Sequence, residues 1–190
     1  IDDIDFKFIA KAKHLHFSSI FMQPGIKRSI PEIFRKAKEL GLTTSIDPQW
    51  DPEEKWDIDL ENIMPYLDIF MPNRKELEFI SATEGIENCI QKLKPLPKYL
   101  IIKDGSEGSL LWDGKDMHKQ AIFENKQIID CIGAGDSFNA GFINKFVSGK
   151  TIDECLEFGA LTGAISTTSA GGTGAFQNIQ SIKEIANQKF

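Results

Sequence analysis

Short apolar runs alternate with segments of helical periodicity along most of the chain. Residues 14–21 and 99–103 have the length of buried strands, whereas residues 30–40 repeat their apolar positions at the spacing of one helix face. Further strands are predicted at 42–48, 68–71 and 109–112, and a last strand ends at residue 122. Further helices are predicted at 5–12, 60–67, 77–81, 86–93, 135–146 and 179–188, and another helix begins at residue 151. This alternation predicts a layered α/β domain with a largely parallel sheet. At 190 residues the chain has the length of one domain, which we assign to residues 1–190.

Polar and glycine-rich residues stand where the predicted strands end. Asp47 closes the second strand, and other polar segments follow the third and fourth strands. In open α/β sheets, ligands bind at the carboxyl ends of the strands. We therefore expect a ligand crevice that is lined by the loops 47–51, 72–76, 103–108 and 130–136.

Composition excludes several classes of partner. The net charge of −6 and the lack of a basic cluster argue against binding to nucleic acid or to a membrane surface. No apolar run approaches the length that spans a bilayer. Three widely spaced cysteines favour reduced thiols in a cytoplasmic protein.

Residues 130–142 are the most informative stretch of the chain. Ala134 stands between Gly133 and Gly135, so the backbone can turn tightly and expose successive N–H groups. The helix predicted to begin here adds partial positive charge, which favours an anion such as phosphate. Asp136 falls on its first turn as a candidate base. Such a combination is typical of phosphoryl transfer to a hydroxyl, although an ordinary capped strand-to-helix turn is an open alternative.

Three other motifs fail on spacing. A dinucleotide-binding fingerprint requires glycine where Phe138 stands. A nucleophile elbow around Ser137 requires glycine where Asn139 stands. The Gly-Lys-Ser/Thr ending of a Walker A loop occurs nowhere in the chain.

The stretch 130–142 resembles the C-terminal signature D-T-x-G-A-G-D-x-F-x-x-G-F of the PfkB (ribokinase-like) family of carbohydrate kinases. Cys131 replaces the usual Thr. The resemblance implies that Asp136 is the catalytic base and that Gly133, Ala134 and Gly135 form the anion hole. It also implies a three-layer α/β/α ribokinase-like domain. Family members are usually considerably longer, so we expect the N-terminal part and the lid to be missing from this chain.

A sugar kinase that uses ATP is the activity implied by the resemblance, and a nucleoside kinase of the same family is an alternative. Asn73 and Glu76 resemble the family's N-x-x-E motif, which places Mg²⁺ through bound water. The same two residues also fit a helix capping box, and both interpretations can hold together.

The resemblance implies further contacts to the nucleotide. Lys103, Gly105 and Gly108 match a family turn that contacts phosphates, although a plain hairpin is the alternative. Gly163 lies on a helix of small residues against which the family places adenine, and Gly172 lies in the loop that closes the nucleotide site. Tight packing between backbones is the alternative for these glycines.

Three further expectations come from the resemblance. The carbonyl groups of Asp130 and Ile132 are expected to hold a monovalent cation such as K⁺. Asp47 and Asp136 are expected to face the sugar. The protein is also expected to form a homodimer.

The loop after Asp47 departs from the family pattern D-x-N-x-R. Gln49 replaces the Asn and Asp51 replaces the Arg, so a solvated loop is an alternative to a substrate loop. Ser18 and Ser19, at the end of the first strand, are candidates to line the pocket.

Two competing functions remain open. The sequence Gly135-Asp136-Ser137 is similar to an esterase block, which would make Ser137 a nucleophile. A nucleotide-binding module without catalysis is the second. His14 and His16 share one strand face, and we expect them to be hydrogen-bonded residues flanking a sheet rather than metal ligands.

Overall fold

A computed structural model describes residues 1–189, apart from the side chains of Ser181, Gln188 and Lys189. The chain divides into two compact units. The first contains residues 1–103 and 111–117, and the second contains residues 104–110 and the chain from His118 onward. The assignment of one domain to the whole chain stays a prediction.

Six strands form one sheet in the order β1-β2-β3-β4-β5-β6. Their bounds are β1 His14–Ser18, β2 Thr43–Asp47, β3 Ile69–Phe70, β4 Tyr99–Lys103, β5 Ser109–Trp112 and β6 Met117–Gln120. The pairs β1–β2, β2–β3 and β3–β4 are parallel. The predicted α/β class with a largely parallel sheet is therefore confirmed.

Helices separate most of the strands. They are α1 Phe6–Ile9, α2 Pro24–Lys27, α3 Ile30–Glu39, α4 Leu60–Ile63, α5 Arg74–Ser81, α6 Ile86–Lys92, α7 Ala134–Val147, α8 Ile152–Ser166 and α9 Ile179–Lys189. Short 3₁₀ turns occupy Ile20–Met22, Met64–Tyr66, Gly105–Glu107 and Gly174–Phe176. Among the described residues, no helix combines the length and apolarity needed to cross a bilayer.

The core of the first unit lies around the central strands. The apolar side chains of β3 are buried, as are residues 100–102 of β4, which is typical of parallel strands covered on both faces. The amphipathic helix α3 buries Ile30, Ile33 and Phe34. Each large side chain of this kind contributes about 1.5–3 kcal/mol when it is removed from water.

Local chemistry sets several element boundaries. A capping box begins α5 at Asn73, as predicted, and another begins α8 at Thr151. The first strand was predicted to continue to residue 21, but β1 ends at Ser18 because Ser19 adopts a left-handed backbone with φ 57°. The strand predicted up to residue 122 ends at Gln120.

Candidate active site

In the first unit, a polar cluster lies at the carboxyl ends of three adjacent parallel strands. Asp47 ends β2, Lys103 ends β4, and Asn73 follows β3. The main chain at Asn73 bridges to that at Lys103, and the Lys103 N–H donates to the Pro72 carbonyl at 3.1 Å. Parallel pairing aligns strand ends along one sheet edge, so three loops that are distant in sequence meet here.

A buried ion pair joins two of these strand ends. The Lys103 ammonium contacts the carboxylate of Asp47, whose side chain is only 3% exposed. Asp47 also accepts a hydrogen bond from the Gln49 N–H at 3.2 Å. Lys103 therefore compensates a buried carboxylate in this structure, and its contact with phosphate stays a prediction, as does the contact of Asp47 with sugar.

Asn73 and Glu76 bind each other at the start of α5. The Asn73 N–H donates to Glu76 Oε2 at 2.8 Å and its Nδ2 donates to Oε1 at 2.6 Å, while the Glu76 N–H donates to Asn73 Oδ1 at 2.9 Å. These bonds satisfy two N–H groups that the helix start leaves open. The predicted capping box is confirmed.

Glu76 carries an unusual charge environment for a capping residue. The residue is buried, with 5% of its surface exposed. Burial, followed by the nearby Asp47 carboxylate, raises the pKa of Glu76 from 4.5 to about 7, although the Asn73 N–H and the Lys103 ammonium oppose the rise. Two carboxylates thus share one ammonium at this strand edge.

This donor set suits a hard divalent cation held through water. Oxygen atoms of carboxylates and amides are the groups that Mg²⁺ prefers, and a cation would relieve the repulsion between Asp47 and Glu76. Both Glu76 oxygens already accept hydrogen bonds from Asn73, so bound water suits the geometry better than direct ligation. Within the described residues, no group of three His, Cys, Asp or Glu side chains forms a ready metal site.

The loop after β2 is held by hydrogen bonds to one of its own buried carboxylates. The buried Asp51 carboxylate accepts three main-chain N–H groups, from Glu53 at 3.0 Å, Lys55 at 2.9 Å and Trp56 at 2.7 Å. Burial opposes its ionisation, and these donors outweigh burial, so the pKa of Asp51 is lowered. The acid that replaces the family's Arg is therefore an anchor of the loop, and the alternative of a solvated loop is wrong at this position.

Two left-handed residues meet beside Asp47. Ser19 has φ 57° and Gln49 has φ 55°, and the Ser19 hydroxyl donates to Gln49 Oε1 at 2.5 Å. Non-glycine residues adopt this conformation at a cost of about 1–3 kcal/mol and concentrate in binding clefts. Ser19 was a sequence candidate for the pocket, but nothing in the sequence indicated its bond to Gln49.

In the second unit, the residues after Lys103 form a tight turn. The Asp104 N–H donates to the Gly108 carbonyl at 2.9 Å, and Gly105 and Gly108 have φ of 56° and 92°. A Cβ on Gly108 would lie 2.2 Å from the Gln120 carbonyl oxygen, so the turn requires glycine there for packing. Contact with nucleotide phosphates stays a prediction for both glycines.

The glycine-rich loop begins α7 as the sequence predicts. Gly133 is the N-cap residue with φ 75°, and a Cβ there would lie 2.5 Å from Gly172 Cα. The Ala134 N–H donates to the Cys131 carbonyl at 3.2 Å. Within residues 1–189, the N–H groups of Gly133 and Gly135 have no acceptor, whereas that of Ala134 is already bonded, and the anion hole of these three residues stays a prediction.

Asp136 occupies the first turn of this 14-residue helix and is exposed. The first intrahelical bond across the loop runs from the Ser137 N–H to the Gly133 carbonyl at 2.8 Å. A carboxylate at this position lies close to the open N–H groups of the helix start. Ser137 is the fourth residue of the helix rather than the apex of an elbow, so the esterase interpretation gains no support.

Asp130 ties the glycine-rich loop to the loop containing Gly172. Its Oδ1 accepts the Ile132 N–H and its Oδ2 accepts the Gly171 N–H, both at 2.9 Å. These main-chain donors lower the pKa of Asp130. The carboxylate therefore fixes both loops, while the role of the Asp130 and Ile132 carbonyls toward K⁺ stays a prediction.

The glycines predicted for the nucleotide also have packing roles. Gly163 on α8 faces the Ala134 carbonyl, where an added Cβ would lie at 3.2 Å, and Gly172 faces Gly133. Close approach of backbones thus accounts for both residues, and their contact with nucleotide stays a prediction. Sequence reasoning missed Thr162, whose hydroxyl lies 2.8 Å from the Ser137 carbonyl, because no local pattern marks a contact between helices.

The two histidines of β1 are hydrogen-bonded, as predicted. His14 contacts Thr43 Oγ1 and Ser45 Oγ, and His16 contacts Ser45 Oγ, all at 2.7 Å. Burial, followed by the neighbouring His16, lowers the pKa of His14 to about 4. Both rings therefore serve the packing of β1 on β2.

Known proteins resemble the chain over nearly its whole length. An uncharacterized sugar kinase of Archaeoglobus fulgidus is 31% identical over 166 residues, covering 86% of this chain and 64% of that protein. Fructokinase-1 of Zea mays is 26% identical, covering 90% of this chain and 57% of that protein. The chain thus spans less than two thirds of the length of these relatives.

Solved structures share the fold. The Arabidopsis thaliana ribokinase complexed with ribose and ATP has a TM-score of 0.78 and 25% identity, covering 97% of this chain and 59% of that one. Adenosine kinase from Sinorhizobium meliloti has a TM-score of 0.84 and 25% identity, covering 98% and 57%. The fold is therefore ribokinase-like. Residues 2–178 match the family described as pfkB family carbohydrate kinase, and the chain belongs to that family.

Proposed function

We propose that the protein containing this chain transfers the γ-phosphoryl group of ATP to a hydroxyl of a sugar. Membership of the pfkB family supports this activity, as does the 31% identity to a sugar kinase. The chain covers 59% of the ribokinase whose complex holds ribose and ATP. The assay therefore uses the complete protein that contains the chain.

One observation carries the proposal: an exposed carboxylate stands on the first turn of a long helix, close to the Gly133 and Gly135 N–H groups, which have no acceptor among the residues that the structure describes. Asp136 accepts the proton of the attacking sugar hydroxyl as its oxygen bonds to the γ-phosphorus. The bond between that phosphorus and the β,γ-bridging oxygen breaks, and ADP leaves. The Gly133 and Gly135 amides stabilise negative charge on the transferred group.

Magnesium is the cofactor that the cluster in the first unit suits. Asn73 and Glu76 would hold it through water, with Asp47 adding negative charge nearby, and the ion would neutralise charge on the phosphates. Lys103, Gly105 and Gly108 are proposed for phosphate contact, and Gly163 and Gly172 for the rest of the nucleotide. The carbonyls of Asp130 and Ile132 are proposed to hold K⁺.

The test replaces Asp136 in the complete protein and measures ADP release with ATP and a panel of sugars and nucleosides. Asp136→Ala should lower kcat by about 10²–10⁴-fold, which is the usual contribution of a general base to the rate. The affinity for ATP should stay within about twofold of that of the parent. Asp153→Asn is a matched control, because Asp153 is an exposed acid on the first turn of another long helix in the same unit.

The outcomes separate the alternatives. Equal turnover of Asp136→Ala and the parent would remove Asp136 as the base. Phosphorylation of a nucleoside alone would identify a nucleoside kinase. Binding of ATP by calorimetry, without a phosphorylated product from any acceptor, would favour a nucleotide-binding module and overturn the proposed activity.

A further inference from the structure

Helix α7, which carries Asp136, lies against small residues of α8. An added Cβ on Gly159 would meet the Phe138 carbonyl oxygen at 3.1 Å, and one on Gly163 would meet the Ala134 carbonyl oxygen at 3.2 Å. The first two turns of α7 thus approach α8 at backbone distance. Such contacts limit how close the helices lie, and a hydrogen bond adds a directional preference for one axial register.

Thr162 adds a directional bond at this contact. Its hydroxyl lies 2.8 Å from the Ser137 carbonyl oxygen of α7. The same hydroxyl lies 2.9 Å from the Phe158 carbonyl and 3.0 Å from the Gly159 carbonyl, both in its own helix. These two are the usual acceptors of a threonine within a helix. The Ser137 carbonyl is the acceptor that exists only when α7 is docked in this register.

Gly141 makes room for that bond. A Cβ on Gly141 would lie 2.1 Å from Thr162 Oγ1 and 2.9 Å from the Phe158 carbonyl oxygen. Any side chain at this position would therefore displace the hydroxyl or separate the helices. The sequence of α7 provides the gap, and the sequence of α8 fills it with a hydrogen-bond donor.

The anchored carbonyl lies one residue from the carboxylate. Ser137 follows Asp136 directly, so a bond to the Ser137 carbonyl fixes the Ser137–Phe138 peptide group, which is the second peptide group after the Asp136 Cα. The first turn lacks most of the intrahelical bonds that hold later turns, so its position depends on outside contacts. Misplacement of a catalytic group by about 1 Å can cost about a hundredfold in rate.

We propose that Thr162 is a positioning residue, which holds the first turn of α7 in the register that phosphoryl transfer requires through its hydroxyl bond to the Ser137 carbonyl. This inference rests on the proposed function for its effect on turnover. It concerns how the Asp136 backbone is held, and Thr162 itself touches no reacting group.

The experiment compares Thr162→Val with Thr162→Ser in the complete protein. Valine keeps the branched shape and removes the hydroxyl, whereas serine keeps the hydroxyl. We expect Thr162→Val to lower kcat by about tenfold, with KM for ATP and for sugar within about twofold, because ground-state binding does not need the exact register. Thr162→Ser should keep kcat within about twofold of the parent.

A second measurement does not depend on turnover. Hydrogen exchange of the amides in residues 137–141, which donate hydrogen bonds along α7, should be several-fold faster in Thr162→Val than in the parent, and close to the parent in Thr162→Ser. If Thr162→Val does not fold, Thr162→Ala takes its place. Alanine also removes the hydroxyl, and it places no methyl group against the three carbonyl oxygens that surround Thr162 Oγ1. Thermal unfolding of each variant checks that the fold is intact.

The possible results of these experiments test the inference about Thr162 separately from the proposed function. Unchanged amide exchange after removal of the hydroxyl would overturn the inference, as would equal losses of kcat in Thr162→Val and Thr162→Ser, since packing would then explain both. A parent protein that phosphorylates no acceptor would overturn the proposed function, and the exchange comparison would still decide whether Thr162 holds the first turn.

Discussion

Glu76 should make the stability of the protein fall as the pH rises from about 4.5 to about 7. The perturbation is Glu76→Gln, which removes the titrating group and keeps the side-chain length. Because the folded-state pKa of about 7 lies above the ordinary value of 4.5, folding favours the protonated acid. Its contribution is fully present below about pH 4.5 and is lost progressively as the pH rises to about 7.

The magnitude follows from the two pKa values. Each pKa unit is worth about 1.4 kcal/mol, so the interval from 4.5 to about 7 corresponds to about 3 kcal/mol of unfolding free energy. The glutamine Nε2 cannot accept the Asn73 Nδ2 hydrogen bond, which costs about 1 kcal/mol at every pH. The variant should therefore be less stable than the parent at pH 4 and more stable at pH 8.

The assay is urea unfolding of parent and variant between pH 4 and pH 8. His14 also titrates, and its lowered pKa makes the parent lose stability as the pH falls from about 6.5 toward 4. The difference between parent and variant cancels this effect, since both proteins keep His14. A difference in unfolding free energy that stays constant across the range would show that the pKa of Glu76 is not raised in the folded protein.

Glu78→Gln is the control with the opposite sign. It lies two residues further along α5, and a hydrogen bond from Lys75 lowers the pKa of Glu78. Its contribution to stability is present above the ordinary pKa of 4.5 and is lost as the pH falls below it. The unfolding free energy of the parent should therefore increase relative to that of Glu78→Gln as the pH rises.

Two further substitutions test the backbone of the site. Gly133→Ala should lower the unfolding free energy by about 3 kcal/mol, because φ is 75° and the new Cβ would overlap Gly172. The control Gly149→Ala has a similar φ of 73° but open space around it, so it should lower the unfolding free energy by only about 1 kcal/mol. Equal losses in denaturant melts would contradict the predicted overlap. Asp51→Asn should cost about 2 kcal/mol, since its amide nitrogen cannot accept the main-chain N–H groups that the carboxylate binds. The exposed Asp57→Asn should change stability by less than about 0.5 kcal/mol, and an Asp51 loss of that size would show that its three bonds matter little.

Much of the architecture could be predicted from the sequence because the signals are local. The 3.6-residue repeat of α3 and the apolar run of β4 report burial on one face or on both faces. The capping boxes at Asn73 and Thr151 need only four consecutive residues. Strand ends were less predictable, since β1 stops where Ser19 turns left-handed, and no residue type requires that turn.

The glycine-rich helix start and its carboxylate could be predicted from local sequence, because the spacing of Gly133, Gly135 and Asp136 favours a tight turn into a helix. The pairing of Lys103 with Asp47, 56 residues away, and of Thr162 with Ser137, 25 residues away, follows from the packing of distant elements. The pKa of Glu76 belongs to the same group, because burial and a neighbouring charge cause it. Contacts and burial of this kind depend on how distant elements pack, and local residue patterns carry no record of that packing.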